Sequence, residues 1–374
     1  MANRRVLQIV GDPAGGIRKH VHDILNGLHS DFDFYYISSN QGDRQYQIEI
    51  TELEQRIVEH RCLEISKKPA LSDLRNCLSI YRYIRRHNID LVHGHGAKGG
   101  LYARICGKLA GCAVIYTPHG GVVHSMFSRM ESFIYKMVER FLCHFTDLLL
   151  FESNYTADSF AAKFGCGAVN TRVNYNGIAW IDQSQAAAAP GRIEGLPLRI
   201  GYFGILRHEK GPHLALQAVQ SLLAKGRAFE FHLYGNGPLR ESLRDDIEQS
   251  GMTDRIFLHG EVDDVYRTMQ SLDFVLIPSL FESFGYVAVE AMMLKKSLIA
   301  SNAGGLAEVV PAEYAFCYYS GSVQALEAAI EKALQSSTSE LEQMREQAFD
   351  YARQRFEISN MLQTLRLCYQ QPLA

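Results

Sequence analysis

The sequence predicts an α/β chain made of two halves, each a parallel sheet covered by helices on both faces. Two observations predict it. Short apolar runs of strand length alternate with longer segments of helical periodicity along most of the 374 residues, which is the signature of βα units. That alternation fails over Ile178–Pro197, where Ala, Gly and Pro dominate, and then resumes. Such a stretch reads as the linker between two domains. The boundaries expected are 1–178 for the N-terminal domain, 179–197 for the linker, 198–356 for the C-terminal domain and 357–374 for a last helix.

In the first half, Val6–Val10 (VLQIV) is a buried strand, Gly11–Gly16 (GDPAGG) a glycine-rich loop, and Ile17 to about His29 a helix. A loop of this kind either lets a ligand approach the backbone or simply turns the chain. It is not G-x-G-x-x-G, and G-x-x-x-x-G-K-[ST] does not occur, so neither a dinucleotide fingerprint nor a P-loop is present. Asp31-Phe32-Asp33 has the D-x-D form of a metal-binding carboxylate pair, but it follows a helix and leads into the strand Phe34–Ile37, so it reads as a solvated turn. Leu71–His87 is a helix ending in Arg82, Arg85 and Arg86. Ile89–His93 is a strand ending in His93-Gly94-His95-Gly96. Gly99–Ala110 is a helix, and Ala113–Tyr116 a strand that ends in Thr117-Pro118-His119-Gly120-Gly121. Helix Met126–His144, strand Leu148–Phe151, helix Asn154–Phe164 and strand Val169–Tyr175 complete the half.

Glycines and histidines therefore collect just after strands, where open α/β sheets bind ligands. His93 and His95 are read as pointing to opposite faces with no Cys or acidic residue close by, which argues against a metal centre. His119 is either a ligand contact or a buried, hydrogen-bonded histidine.

The second half opens on strand Leu198–Phe203, followed by Gly204-Ile205-Leu206-Arg207-His208-Glu209-Lys210-Gly211 and helix Pro212–Ala224, with Pro212 suited to the first helical position. Strand Phe229–Tyr234, helix Leu239–Gln249, strand Ile256–His259 and a helix near Val265–Met269 follow. The apolar run Phe274–Ile277 then leads through Pro278 into Glu282–Glu290 (ESFGYVAVE), and Val287–Leu294 is helical. Gly285 allows a tight turn, and the free amides at the helix start favour a phosphate. Glu282 lies on the loop and Glu290 about 7 Å along the helix axis, so two carboxylates bracket an anion site. Glutamates also gather at helix starts for the dipole alone. Strand Ser297–Ala300, the turn Ser301-Asn302-Ala303-Gly304-Gly305, a short helix Leu306–Val310 carrying Glu308, and a mostly helical tail from Ser322 to Leu367 finish the chain.

The composition, 47% hydrophobic and 21% charged with a net charge of −3, is that of a globular enzyme. Residues 1–180 hold 21 Lys and Arg against 17 Asp and Glu, a net of +4; residues 181–374 hold 17 against 24, a net of −7. An excess of +4 is too weak to argue for nucleic acid. The eight cysteines form no C-x-x-C pair and sit in apolar patterns, which suits a reducing cytoplasm better than a disulfide framework. No apolar run approaches ~18 residues, so a cytoplasmic protein is expected.

With these residues in view, the chain resembles the GT-B glycosyltransferases of family 4, retaining enzymes that use nucleotide sugars, and within them those of polysaccharide, capsule or O-antigen synthesis. The E-x₇-E signature is matched by Glu282 and Glu290, the G-x-L-x-x-x-K-G segment by Gly204–Gly211, the G-G loop by Gly15 and Gly16, the P-H-G turn by His119, and the glycine turn before a glutamate by Gly304, Gly305 and Glu308. The resemblance implies two Rossmann-like domains facing across a cleft, with the C-terminal helix crossing back to the N-terminal domain. It implies a hexosyltransferase that takes a UDP- or GDP-sugar and passes the sugar to a hydroxyl of a glycan or polyprenyl-linked acceptor, attacking the face from which the phosphate leaves.

By the same resemblance Glu282, His119, Arg207 and Lys210 are the catalytic set. Gly15, Gly16, Arg207, Lys210, Gly260, Glu282, Ser283, Phe284, Gly285 and Glu290 bind the donor, with Glu290 on the ribose hydroxyls. His119, Gly120, His95 and Lys98 lie on the acceptor side. No cofactor and no metal are expected, two cations and a helix terminus taking the metal's place. Two other readings stand beside this one: a nucleotide-sugar epimerase of the same two-domain shape, and a non-catalytic nucleotide-sugar binder.

A lipid-linked acceptor would bring the protein to the inner face of the membrane. The candidate contacts are the helix bearing Tyr81, Arg82, Arg85 and Arg86, and the stripe Met126, Phe127, Met130, Phe133, Ile134 and Met137 beside Arg129, Lys136 and Arg140. That stripe either meets an anionic surface or packs against the sheet.

Overall fold

A computed structural model of the chain describes residues 3–66, 68–120, 129–167, 169–180 and 197–371. The chain divides into two compact units, Met1–Gly177 with Ser359–Ala374, and Ile178–Ile358.

The first unit runs β1 (Arg4–Val10), α1 (Gly15–Leu28), β2 (Phe32–Ser39), α2 (Arg44–Leu53), β3 (Glu59–Leu63), α3 (Ser72–His87), β4 (Leu91–His95), α4 (Gly96–Ala110), β5 (Ala113–Thr117), α5 (Arg129–Cys143), β6 (Leu148–Phe151), α6 (Asn154–Phe164) and β7 (Asn170–Val173). Its strands are parallel and ordered β3-β2-β1-β4-β5-β6-β7. The order reverses between β1 and β4, so the crevice beyond their C-terminal ends is where a ligand site is expected in such a sheet. Val6–Val10 is fully buried, as a strand covered on both faces must be. α4 lies hard against β1: a Cβ on Gly99 would come within 2.3 Å of the Ile9 carbonyl oxygen.

The second unit runs β8 (Leu198–Phe203), α7 (Pro212–Ala224), β9 (Phe229–Tyr234), α8 (Arg240–Ser250), β10 (Ile256–Gly260), α9 (Val265–Gln270), β11 (Phe274–Ile277), α10 (Tyr286–Met293), β12 (Ser297–Ser301), α11 (Leu306–Val309), β13 (Phe316–Tyr318), α12 (Val323–Gln335) and α13 (Thr338–Phe356). Its parallel order is β10-β9-β8-β11-β12-β13, reversing between β8 and β11. Ile200, Phe231, Leu276 and Ile299 of four neighbouring strands share one core with Leu216, Val219 and Leu222 of α7. The last helix, α14 (Ile358–Gln370), belongs to the first unit from Ser359 onward. There it buries Met361, Leu365, Cys368 and Tyr369, and the Met361 carbonyl accepts from Asn174 Nδ2 at 3.3 Å.

Several expectations need correction. The second unit begins at Ile178, which is buried and bridges to Glu357. Trp180 packs edge-on to Phe349 at 5.1 Å beneath the Arg353 guanidinium, so the expected linker starts late; residues 181–196 of it lie outside the described residues. Asp33 sits within β2, not in a turn, while Asp31 is held by Arg366 at 2.7 Å. Cys143 and Cys166 are joined in a disulfide, against the expectation of free thiols throughout. Residues 23 apart with no short-range spacing signal meet inside the cluster of Tyr116, Leu149, Phe151 and Phe160. The stripe on α5 faces outward. Met130 is 75% and Phe133 65% exposed, with Ile134, Met137, Val138 and Phe141 also exposed, whereas Glu139 is buried. Met126 and Phe127 lie outside the described residues. Among those described, no helix is long and apolar enough to cross a membrane.

Candidate functional site

Two clusters form at the points where strand order reverses, one in each unit. In the second unit, the loop after β8 and the loop after β11 are stitched together. The Glu209 carbonyl accepts from the amides of Leu280 (2.8 Å) and Phe281 (3.2 Å). Gly211 is in the left-handed region, φ +69°, and a Cβ there would stand 1.9 Å from the Pro278 carbonyl oxygen. Only glycine permits that approach. The Tyr202 hydroxyl donates to the Ile205 carbonyl at 3.0 Å and steadies the same loop.

This stitching brings Lys210 and Glu282 into contact, Nζ to Oε2 at 2.5 Å, with Ser279 Oγ donating to the same oxygen at 3.3 Å. Both charges are mostly covered. Arg207 is half exposed, its Nε 3.9 Å from Glu209, so it remains available at the rim. The Glu282 carbonyl accepts from the Gly305 amide at 2.8 Å, which ties in the second glycine turn. Gly285, φ +101°, caps the start of α10, and Ser283 and Phe284 precede it in the loop. Glu290 lies on the buried face of α10, with the Tyr266 hydroxyl 3.4 Å from Oε1. Gly260 ends β10, its carbonyl accepting from Gly235 at 2.7 Å.

In the first unit the residues are drawn together differently. The Gly15 amide donates to Asp43 Oδ2 at 2.8 Å, and Arg18 binds the same carboxylate. That N–H, expected to meet the donor, is already engaged. Gly16 lies in the first turn of α1. Lys98 is paired with Asp73 at 2.6 Å, where Tyr102 also donates.

The histidines converge. Alternate residues of a strand share a face, so the reading of His93 and His95 as opposed is corrected: their ring centroids are 4.0 Å apart. His95 Nδ1 lies 3.0 Å from His119 Nε2, and His95 Nε2 is 2.7 Å from Gln8 Oε1. His93 bonds Tyr369 and Thr117 at 2.7 and 2.9 Å. His119 has φ +53° and Gly120 φ +70°, so both occupy the left-handed region at the end of β5.

His20 of α1, which the sequence did not single out, packs edge-on to both His95 and His119, at 5.6 and 4.9 Å between ring centroids. Burial pushes the His20 imidazole down to about 4 and holds those of His93, His95 and His119 well below their ordinary value. All four are neutral at neutral pH. Ser279, Tyr266, Gln8 and Asp43 were likewise missed; Ser279 lies three residues before Glu282 on the same loop, whereas the other three touch a site residue only through packing between elements distant in sequence.

Comparison with known proteins follows the same division. Residues 14–179 match the family model described as Glycosyltransferase Family 4, and residues 185–355 the one described as Glycosyl transferases group 1. The chain is similar to a 2-deoxystreptamine glucosyltransferase of Streptomyces kanamyceticus, at 31% identity over 60% of this chain and 63% of that one. It is also similar to an Escherichia coli UDP-Gal:alpha-D-GlcNAc-diphosphoundecaprenol alpha-1,3-galactosyltransferase, at 24% identity over 63% of each. The matched region thus spans less than two thirds of the length of these relatives. Among solved structures, Anabaena Alr3699/HepE in complex with UDP and glucose matches with a TM-score of 0.82 at 21% identity, over 99% of this chain and 100% of that one. Sucrose-phosphate synthase from Thermosynechococcus elongatus matches with 0.82 at 17% identity, over 98% and 99%. At these identities the likeness is one of fold.

Proposed function

The chain belongs to the GT-B glycosyltransferases of the family 4 and group 1 type, and from that premise we propose that it moves a hexose from a UDP- or GDP-sugar to a hydroxyl of a glycan or polyprenyl-linked acceptor, with retention of configuration. The observation that carries this reading is the Lys210–Glu282 pair, mostly covered and fixed on two stitched loops beside the start of α10. In the free protein each charge neutralises the other. A bound donor diphosphate takes Lys210 as its own partner, with Arg207 and the amides of Phe284 and Gly285. Glu282 then turns to hydroxyls of the sugar. Glu290 accepts from the ribose hydroxyls.

As the glycosidic bond breaks, negative charge grows on the leaving phosphate, and donors already in place act chiefly in the transition state. The acceptor hydroxyl attacks on the same face, and the departing phosphate takes its proton, so neither glutamate serves as nucleophile, in contrast to a retaining glycosidase. His119 meets the acceptor side. Asp31 and Asp33 take no part: one is paired with Arg366 and the other lies within β2. The reaction proceeds without a metal ion on the diphosphate. The name of the Escherichia coli relative pairs UDP-Gal with a diphosphoundecaprenol acceptor, and the Anabaena neighbour was solved with UDP and glucose. Both favour a uridine donor.

The test is nucleotide release from a panel of nucleotide sugars in EDTA, with and without a lipid-linked acceptor. Acceptor-dependent release unaffected by the chelator is expected. Interconversion of nucleotide sugars without acceptor, or binding without turnover, would overturn the assignment. Within that assay, Glu290→Ala is expected to weaken binding of the bare nucleotide by ~1.5–3 kcal/mol, the worth of hydrogen bonds to a charged acceptor. Glu282→Ala is expected to lower turnover while sparing bare-nucleotide affinity. Equal losses of affinity in calorimetry would refute this division of roles.

A lipid-linked acceptor requires the protein to reach a membrane surface. The outward stripe of α5 with exposed Lys136 and Arg140 supports peripheral docking, as do Arg61, Arg75, Arg82 and Arg86 around a groove beside α3. Cations next to exposed apolar side chains suit an anionic bilayer. The parent protein is expected to sediment with anionic liposomes at low salt and less at high salt. Arg129→Glu/Lys136→Glu/Arg140→Glu should stay in the supernatant. A folded triple variant that pellets as well as the parent would rule out α5 as the contact.

A further inference from the structure

We propose that His20, His95 and His119 form a binding site for one late first-row divalent cation of the Zn²⁺ class. One nitrogen from each ring lies within 4.8 Å of the others, and the closest pair stands at 3.0 Å. Nitrogens that share one ion at the ~2.0–2.1 Å of a Zn–N bond stand closer together than 4.8 Å, so binding draws the His20 and His119 rings inward.

Two features beyond proximity point to a ligand. His20 is 3% exposed, and neither ring nitrogen makes a hydrogen bond of ordinary geometry among the described residues, although the Asn176 side chain, its Oδ1 also unpartnered, acts on it; a buried polar group in that state calls for an explanation. The bare nitrogen of His95 is fixed. Gln8 Nε2 donates to the Tyr369 hydroxyl at 3.0 Å, which turns Gln8 Oε1 toward His95 Nε2 at 2.7 Å. That nitrogen therefore carries the proton and Nδ1 presents its lone pair to the cluster, the outer support by which ligating imidazoles are oriented.

The donor set selects the metal. Three imidazoles without a carboxylate in the triad suit Zn²⁺, Co²⁺, Ni²⁺ or Cu²⁺ and not Mg²⁺ or Ca²⁺. On binding, the metal replaces the His119–His95 hydrogen bond, the His119 proton moves to Nδ1, and water completes the coordination. If His119 serves the acceptor as proposed above, the bound cation withdraws it from the reaction, so the site acts as an inhibitory one; the binding itself does not depend on that reading.

The probe is Co²⁺ added to the full chain freed of metal, followed by visible absorption. One Co²⁺ per chain with the spectrum of a four-coordinate site is expected, displaced by Zn²⁺ and not by Mg²⁺. His20→Ala and His119→Ala, checked for folding by circular dichroism, should each weaken binding at least tenfold. His259→Ala, which removes one of an exposed histidine pair in the second unit, should leave it unchanged. X-ray absorption on the Co²⁺-loaded parent, which needs no variant, should count three imidazoles. A shell with fewer than three, no one-to-one binding, or equal binding by the folded variants would overturn the site.

Discussion

Replacing Lys210 with alanine is expected to lower kcat/KM by about 100- to 1,000-fold, mostly through kcat, the range found when one preorganised donor to a developing anion is removed. Two effects add. The leaving diphosphate loses a cation held in place by the stitched loops, one that needs no reorganisation as charge develops. Glu282, normally neutralised at 2.5 Å, is left as an unpaired carboxylate beside the incoming phosphates. Arg207→Ala should cost less, because Arg207 is half exposed and its nearest carboxylate is 3.9 Å away, a setting in which solvent screens charge. Lys210→Arg is not a conservative rescue: Gly211 fits against the Pro278 carbonyl with no space for the backbone to shift, and a planar fork differs from a point charge. Steady-state rates at saturating acceptor, with thermal unfolding to confirm the fold, decide the matter. A Lys210→Ala enzyme within tenfold of the parent would remove Lys210 from the diphosphate.

The sequence carried the sheets well where a strand is covered on both faces. Leu148–Phe151 and Phe274–Ile277 are continuous apolar runs, Val6–Val10 is broken only by Gln8 and Leu198–Phe203 by Arg199 and Gly201, and all four are interior strands of their sheets. The edge strands β3 and β13 were not legible. Glu-His-Arg-Cys-Leu of β3 is polar because one side of an edge faces solvent, and β13 is three residues long.

The site shows the same limit. Spacing alone placed Glu282 and Glu290 around a helix start and Lys210 on a loop. That Lys210 and Glu282 touch depends on β8 pairing with β11, a contact across 72 residues. Gly15 was legible as a turn glycine, but its engaged amide depends on Asp43, which caps α2, an element with no clear periodic signal. His20 carries no signal at all, because nothing local distinguishes it from any half-polar position on an amphipathic helix. Only the packing of α1 over the ends of β4 and β5 gives it His95 and His119 for neighbours.

Helix α5 reverses the usual rule, and the reversal has a testable cause. Its inward face carries Glu139, Leu142 and Cys143, while Met130, Phe133, Ile134, Met137 and Phe141 face out. The polar anchor is bidentate: Arg104 Nη1 and Nη2 reach the two Glu139 oxygens at 2.7 and 3.0 Å, with Arg104 Nε donating to the Gly100 carbonyl at 3.0 Å. The guanidinium stacks 3.9 Å above the Tyr116 ring, and both side chains are almost fully buried. Burial alone would lower the Arg104 pKa; the Glu139 charge outweighs it and raises it.

Such a pair adds little over a well-packed apolar one, yet removing one partner is severe, because the other charge is stranded in a low dielectric. Glu139→Ala is therefore expected to destabilise the first unit by ~3–5 kcal/mol, while Arg104→Met/Glu139→Leu should recover most of that loss. The loss should appear in urea unfolding followed by far-UV circular dichroism and in faster amide exchange across residues 129–143. The lone tryptophan is no reporter for it, since Trp180 lies in the second unit. A loss below about 1 kcal/mol, the level of an ordinary surface ion pair, would mean that something other than this pair holds α5 with its apolar face to the outside.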